Sequence, residues 1–497
     1  MKFQMKFKYL YFLFVSAFAV SCTSIELPQN VQQTDSLPPI FPDYVGVTVP
    51  VNICPLDFDM EYSDYQIIDV NFKSENGQTL HTSSKGAICI DIDSWKSLLN
   101  NAAGKKINVT VSVKKGDKWL GYKPFNIFTD TSRIDYAVVY RKIAPGYETF
   151  DDIGIYERNL SDFNERNIVN SNQLQNTCMN CHTFNRCNPD NMILHVRGAK
   201  GGTFFKSPAG MDIFNTKTKQ TRGNFQYCYY HPQGRYVVAS QNKTRQVFRT
   251  GTGPRIDVMD EFSDVAVYDI QKNEILYAPW LRSSEFHDFP SFSADGKKIY
   301  FALADSITKM PEEYQTLKFN ICSVDFDAQN GVVSSKVDTV INAAGMNKSA
   351  TEARPSYDGK YLMYCMLNYG DFAIWHTAAD LWLYNIATGE NKPLTEANSD
   401  QSEAYHNWSS SSHWYVVASR RVNGLYSMLY FARIGEDGVS SKPFLLPQRD
   451  PKNFYNAELH SYNCPEFTIK PVDFGVHSAI NQSDSEERKQ VEMQSGK

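Results

Sequence analysis

Cysteine is scarce in this chain, with ten in 497 residues. That is too few for a fold held together by disulfides. Long apolar runs are also missing. Beyond the N-terminus no stretch reaches the ~18 residues of a membrane helix, so the sequence predicts a soluble mature protein. Basic clusters are absent and the net charge is −5, which excludes the concentrated positive surface of a nucleic-acid binder. No Ser–His–Asp pattern, carboxylate pair or phosphate loop stands out, so no enzyme class is indicated.

What is present begins at the N-terminus. Lys2, Lys6 and Lys8 precede an apolar run from Tyr9 to Val20, which has the length of a signal peptide and is too short to span a bilayer. Small residues, Ala19-Val20-Ser21, lead directly into Cys22. This pattern resembles a bacterial lipobox, which predicts a signal peptide over 1–21 and lipidation of Cys22. Residues 22–43 are polar, contain proline and show no apolar period, as a tether would.

Aromatic residues make up 13% of the chain and favour strands. Over 44–135, short alternating segments ("VGVTVPVNI", "YQIIDVNF", "GAICIDI", "KINVTVSV") are separated by Gly/Asn/Asp turns, which predicts a β-sandwich-like domain. Cys54 and Cys89 can bridge it or remain thiols. Residues 136–200 are less regular and read as a connector. After residue 201 a repeat appears: "YYHPQGRYVVAS", "PSFSADGKKIYFA", "RPSYDGKYLMYC" and "NWSSSSHWYVVAS". Their turn residues Gly234, Gly296, Gly359 and Ser412 lie 62, 63 and 53 apart. Strand pairs at that period predict propeller blades over 201–470. Five are recognisable, and a sixth follows if the C-terminal "SYNCPEF" strand closes the ring. Residues 471–497 read as a tail. The expected fold is all-β.

The most specific motif is "NTCMNCHTFNRCNPDNMILHVRG", residues 176–198. Cys178, Cys181 and His182 have the order and spacing of c-type haem attachment, with two thiols for the vinyl groups and a histidine for iron. His195 and Met192 are candidates for the sixth iron ligand, and Arg197 for a propionate partner. Three alternatives remain open. Cys178, Cys181, Cys187 and His195 can hold zinc; Cys178 and Cys181 can form a disulfide; or the thiols are inert. In the expected ring, His231 and His413 fall at repeat turns, and His287 and His406 lie just upstream of blade strands. The aromatic loop 367–380, through Tyr369, Trp375 and His376, is the candidate binding surface; it can instead pack on its neighbours.

The repeat "PSFSADGKKIYF" resembles the TolB-like propeller repeat. Together with "NCHTF" (180–184), "HVRGAKGGT" (195–203) and "SYNCPEF" (461–467), it makes the chain similar to a group of Bacteroidota periplasmic lipoproteins labelled cytochrome c biosynthesis or TolB-like proteins. The resemblance runs from about Tyr136 to the C-terminus. It implies a lipid-anchored protein of the cell envelope that touches the membrane only through its anchor. With haem c bound, the expected role is electron transfer to a redox partner. Without haem, the expected role is a propeller module binding an envelope protein or glycan.

Overall fold

The computed structural model describes residues 26–144, 152–175, 177–198, 201–248, 256–276, 278, 283–485 and 487–494. The signal peptide and Cys22 lie outside the described residues. Strands dominate, and no described helix is long and apolar enough to cross a membrane.

The N-terminal region forms a seven-stranded sheet centred on the antiparallel strands Ile67–Ser74 and Lys106–Lys115. Alternation drives it: Ile107, Val109, Val111 and Val113 point into the core while their neighbours face outward. One expected strand is corrected. "GAICIDI" is coil that runs into a helix, Ile92–Asn101. Asp91 caps it by accepting from the Ser94 N–H at 2.8 Å. Trp95, Leu98 and Leu99 follow at helical spacing and are buried. The Trp95 ring meets Phe72 edge-on at 5.7 Å. This 3.6-residue period overrides the short apolar alternation before it. A two-stranded ribbon, Ile40–Phe41 with Asp59–Met60, completes the region. Cys54 and Cys89 are both free, the first buried and the second exposed.

Six sheets follow in chain order, antiparallel except where C-terminal edge strands join the second and third in parallel. The first contains Ala137–Ile143, Ile153–Asn159 and Glu165–Asn170, and it takes its fourth strand, Ser461–Thr468, from near the C-terminus. The other five open with Met179–Asn185, Gln226–Tyr230, Phe286–Phe292, Ser349–Pro355 and Glu403–Trp408, each extended by the strands that follow it. These five opening strands and Ser461–Thr468 touch one another in a closed cycle, so all six are axial. The segment 136–200 is therefore not a connector. Its strands build most of the first sheet and begin the second. Nor do the described residues from 471 to 494 form a tail. Helix Val476–Asp484 packs on the second sheet, and Lys489–Gln490 and Glu492–Met493 add edge strands to the second and third sheets.

Two local features recur around the cycle. The first is the hairpin turn after five of the six axial strands. Gly234, Gly296, Gly359 and Ser412 all have φ between 61° and 76° there, and Cys187 takes the same place in the second sheet at φ 63°. At Gly296 the lack of a side chain is essential, because a Cβ would lie 2.1 Å from His231 Nε2, which hydrogen-bonds the Gly296 carbonyl. The second feature is a β-bulge in every axial strand. Two residues face one across the ladder at Asn180-Cys181, Tyr227-Cys228, Phe289-Pro290, Glu352-Ala353, Tyr405-His406 and Cys464-Pro465. In five of the six, the first bulge residue is a non-glycine in the left-handed region: Tyr227, Phe289, Glu352, Tyr405 and Cys464, at φ 47–54°. Such residues are uncommon and persist only where the surroundings enforce them.

Candidate functional site

The bulges turn side chains toward the axis. A cavity of about 40 Å³ lies there, lined from all six axial strands by residues that include Cys181, Tyr227, Phe289, Glu352, Tyr405 and Cys464. Burial dominates its electrostatics. It pushes the Cys181 and Cys464 thiols up and lowers His182 and His406 to about 3. Glu352 and Glu466 are both raised to about 7, again by burial, which backbone N–H donors only partly offset. Those donors are Tyr405 to Glu352 at 2.6 Å and Phe184 to Glu466 at 2.9 Å. Arg141 is a buried cation here and donates to Asn180 Oδ1 at 2.7 Å.

This geometry recasts the cysteine motif. Cys181-His182 holds the same place in its strand as Cys228-Tyr229, Pro290-Ser291, Ala353-Arg354, His406-Asn407 and Pro465-Glu466 in theirs. The pairing registers align all six. "CHTF" is thus one copy of a sixfold element. The hairpin after it holds three more residues than the one after "CYYH", since Thr183 pairs with Ile193 where Tyr230 pairs with Val237. That insertion, with Cys187 at the glycine position, hides the copy from sequence comparison. Ser291-Phe292, Asn407-Trp408 and Glu466-Phe467 share a polar residue then an aromatic after the bulge, but His182-Thr183 does not, so this copy carries no such signal.

A porphyrin does not fit among these residues as they stand. His182 is 3% exposed and lies edge-on to Phe184 at 5.7 Å, and neither ring nitrogen has a hydrogen-bond partner. The adjoining cavity, at about 40 Å³, has room only for a few waters, whereas ligand pockets span roughly 300–1,000 Å³. Cys178 is half-buried just before the strand, while the Cys181 side chain is buried against the axis. Met192 is core: it pairs with Phe184 across the ladder and is fully buried in the cluster that contains Leu194 and Val196. His195 is on the opposite face from Met192, 3.4 Å from Thr203 Oγ1, and burial lowers it to about 3. Arg197 donates to Gln226 Oε1 at 2.7 Å, and the same oxygen accepts from Asn180. The zinc alternative fails on distribution. Cys187 contacts Tyr357 and Trp408 at the far turn, away from Cys178 and His195. No described cysteine is in a disulfide.

The loop 367–380 is anchored to its surroundings. Tyr369 donates to Asp257 at 3.3 Å, and its ring meets Tyr314 and His376 edge-on. His376 is buried and lowered to about 4. Trp375 is half-buried beneath the Arg420 guanidinium, 4.0 Å from its ring centre. The loop also supplies Asp371 to a buried carboxylate group with Asp260 and Asp288, whose oxygens lie within 4.8 Å of one another. Burial pushes all three up, and mutual repulsion adds to this for Asp260 and Asp371. Sequence reasoning missed this group because its members sit on three different elements.

No family model matches the chain, and neither does any curated protein. Distant structural similarity exists. An oligogalacturonate lyase in complex with manganese shares 10% identity, covers 61% of this chain and 84% of its own, and gives a TM-score of 0.31. A DUF4784 family protein from Bacteroides caccae shares 9% identity over 72% of this chain and 95% of its own, with a TM-score of 0.28. A prolyl endopeptidase shares 10% identity over 74% of this chain, which spans about half of that enzyme's length, with a TM-score of 0.31. Similarities this remote say nothing about activity.

Proposed function

We propose that this chain is an exported, lipid-anchored binding module built on a six-bladed propeller that starts at Ala137, with the N-terminal sheet packed on the ring and sharing one apolar core with it. The observation that carries this reading is the closed cycle of six axial strands around one cavity, each with the same bulge. It supports a structural role for "NCHTF" in place of haem attachment. The partner is a protein or glycan of the cell envelope. We assign the partner face to the end of the ring bearing loop 367–380, where Trp375 and Arg420 keep part of their surface. The signal peptide and Cys22 support an anchored position facing the periplasm or the cell surface.

Intact-mass analysis tests this on protein exported by a host with a working cytochrome c maturation system. The expected mass is that of the chain from Cys22 with its lipid and nothing more. An added haem mass that survives acid and organic solvent overturns the proposal and restores electron transfer.

A further inference from the structure

A second cluster lies beside the axial cavity, outside the cysteine motif. Glu352 comes from the fifth sheet's axial strand, Cys365 from the strand that follows it, and His406 from the sixth sheet's axial strand. All three are buried. Cys365 Sγ lies 3.5 Å from Glu352 Oε2 and 3.6 Å from His406 Nδ1. The three ligand atoms lie within 4.8 Å of one another.

We propose that Glu352, Cys365 and His406 form a binding site for a single Zn²⁺ ion, with the fourth coordination position opening onto the axial cavity. Tetrahedral zinc with bonds of about 2.3 Å to sulfur and 2.0–2.1 Å to nitrogen and oxygen sets S···N and S···O separations of about 3.5–3.6 Å. Both sulfur separations match these values. The imidazole is oriented for the task. His406 Nε2 lies 3.0 Å from the Met363 carbonyl, so it carries the proton and leaves the Nδ1 lone pair facing the cluster, as the outer partner of a metal-bound histidine does. The carboxylate is held as well. Its Oε2 accepts from the Tyr405 N–H, while its Oε1 is buried without a partner. The left-handed backbone at Glu352, φ 54°, brings that side chain to the axis. Donor chemistry selects the ion: one sulfur, one nitrogen and one oxygen suit zinc, whereas calcium and magnesium take oxygen ligands. Glu352 and His406 both line the cavity, which has room for a water as fourth ligand. On binding, the Cys365 S–H bond breaks, the sulfur–zinc bond forms, and the proton leaves to solvent along with any proton on Glu352.

The test uses the exported full chain, stripped with chelator and titrated with zinc alone by calorimetry, then with cobalt(II) by absorption. The expected result is one ion per chain, with a thiolate-to-cobalt charge-transfer band and strong tetrahedral visible bands. Cys365→Ser should abolish the charge-transfer band, and Glu352→Gln should weaken zinc binding by more than about 100-fold, beyond the loss caused by removing an outer partner. Apo variants that melt like the parent exclude unfolding as the cause. If Cys365→Ser does not fold, Glu352→Gln decides alone. Stoichiometry well below one, an unchanged band in Cys365→Ser, or unchanged affinity in Glu352→Gln overturns the site.

Discussion

Phe467→Ala tests whether the C-terminal strand closes the cycle. Phe467 is 1% exposed and pairs with Val138 in the first sheet. Its ring centre lies 5.9 Å from that of Phe431 in the sixth sheet, so one side chain joins the last sheet to the first. Truncating a buried phenylalanine costs about 3–5 kcal/mol, combining lost transfer energy with the cavity left behind. Domain stabilities are about 5–15 kcal/mol, so the loss is a large share of the whole. Two residues on, Ile469 is 49% exposed, and Ile469→Ala should change stability by no more than about 0.5 kcal/mol. Urea unfolding of both variants, followed by circular dichroism, measures the difference as a shift in midpoint at constant slope. If Phe467→Ala costs less than about 1 kcal/mol, or if the two variants lose equally, the strand does not carry the closure and the reasoning fails.

Arg421→Ala should cost about 3–5 kcal/mol, because Glu403 is fully buried and Arg421 is its cation at 2.9 Å; a loss below about 1 kcal/mol in the same assay contradicts this. The pH profile offers another check. Glu466 is raised from 4.5 to about 7 in the folded state, so its contribution to stability is fully present below pH 4.5 and is lost as pH rises through 7. Melting temperatures of zinc-free protein between pH 4.5 and 8 should therefore fall less steeply in Glu466→Gln than in the parent. A steeper fall in the variant refutes the assignment.

Strand content and the repeat were written locally. Alternation in segments such as "KINVTVSV" and the left-handed turn residues Gly234, Gly296, Gly359 and Ser412 depend on neighbours within a few positions, so the sequence by itself determined them. The same locality misled at "GAICIDI", whose last two residues are the cap and first residue of a helix, and at 136–200, where strands await a partner more than 290 residues away. Only the tertiary structure puts Asn180-Cys181 of "CMNCH" in a bulge of an axial strand. The pentapeptide is identical whether it holds haem or forms a bulge, and burial of His182 against Phe184 comes from sheets assembled around it. The same holds for Glu352, Cys365 and His406. They are 13 and 41 residues apart with no spacing motif, and they meet because two bulges and the ladder register of Cys365 aim three side chains at one point. Periodicity is a property of the chain, but convergence across sheets is a property of packing.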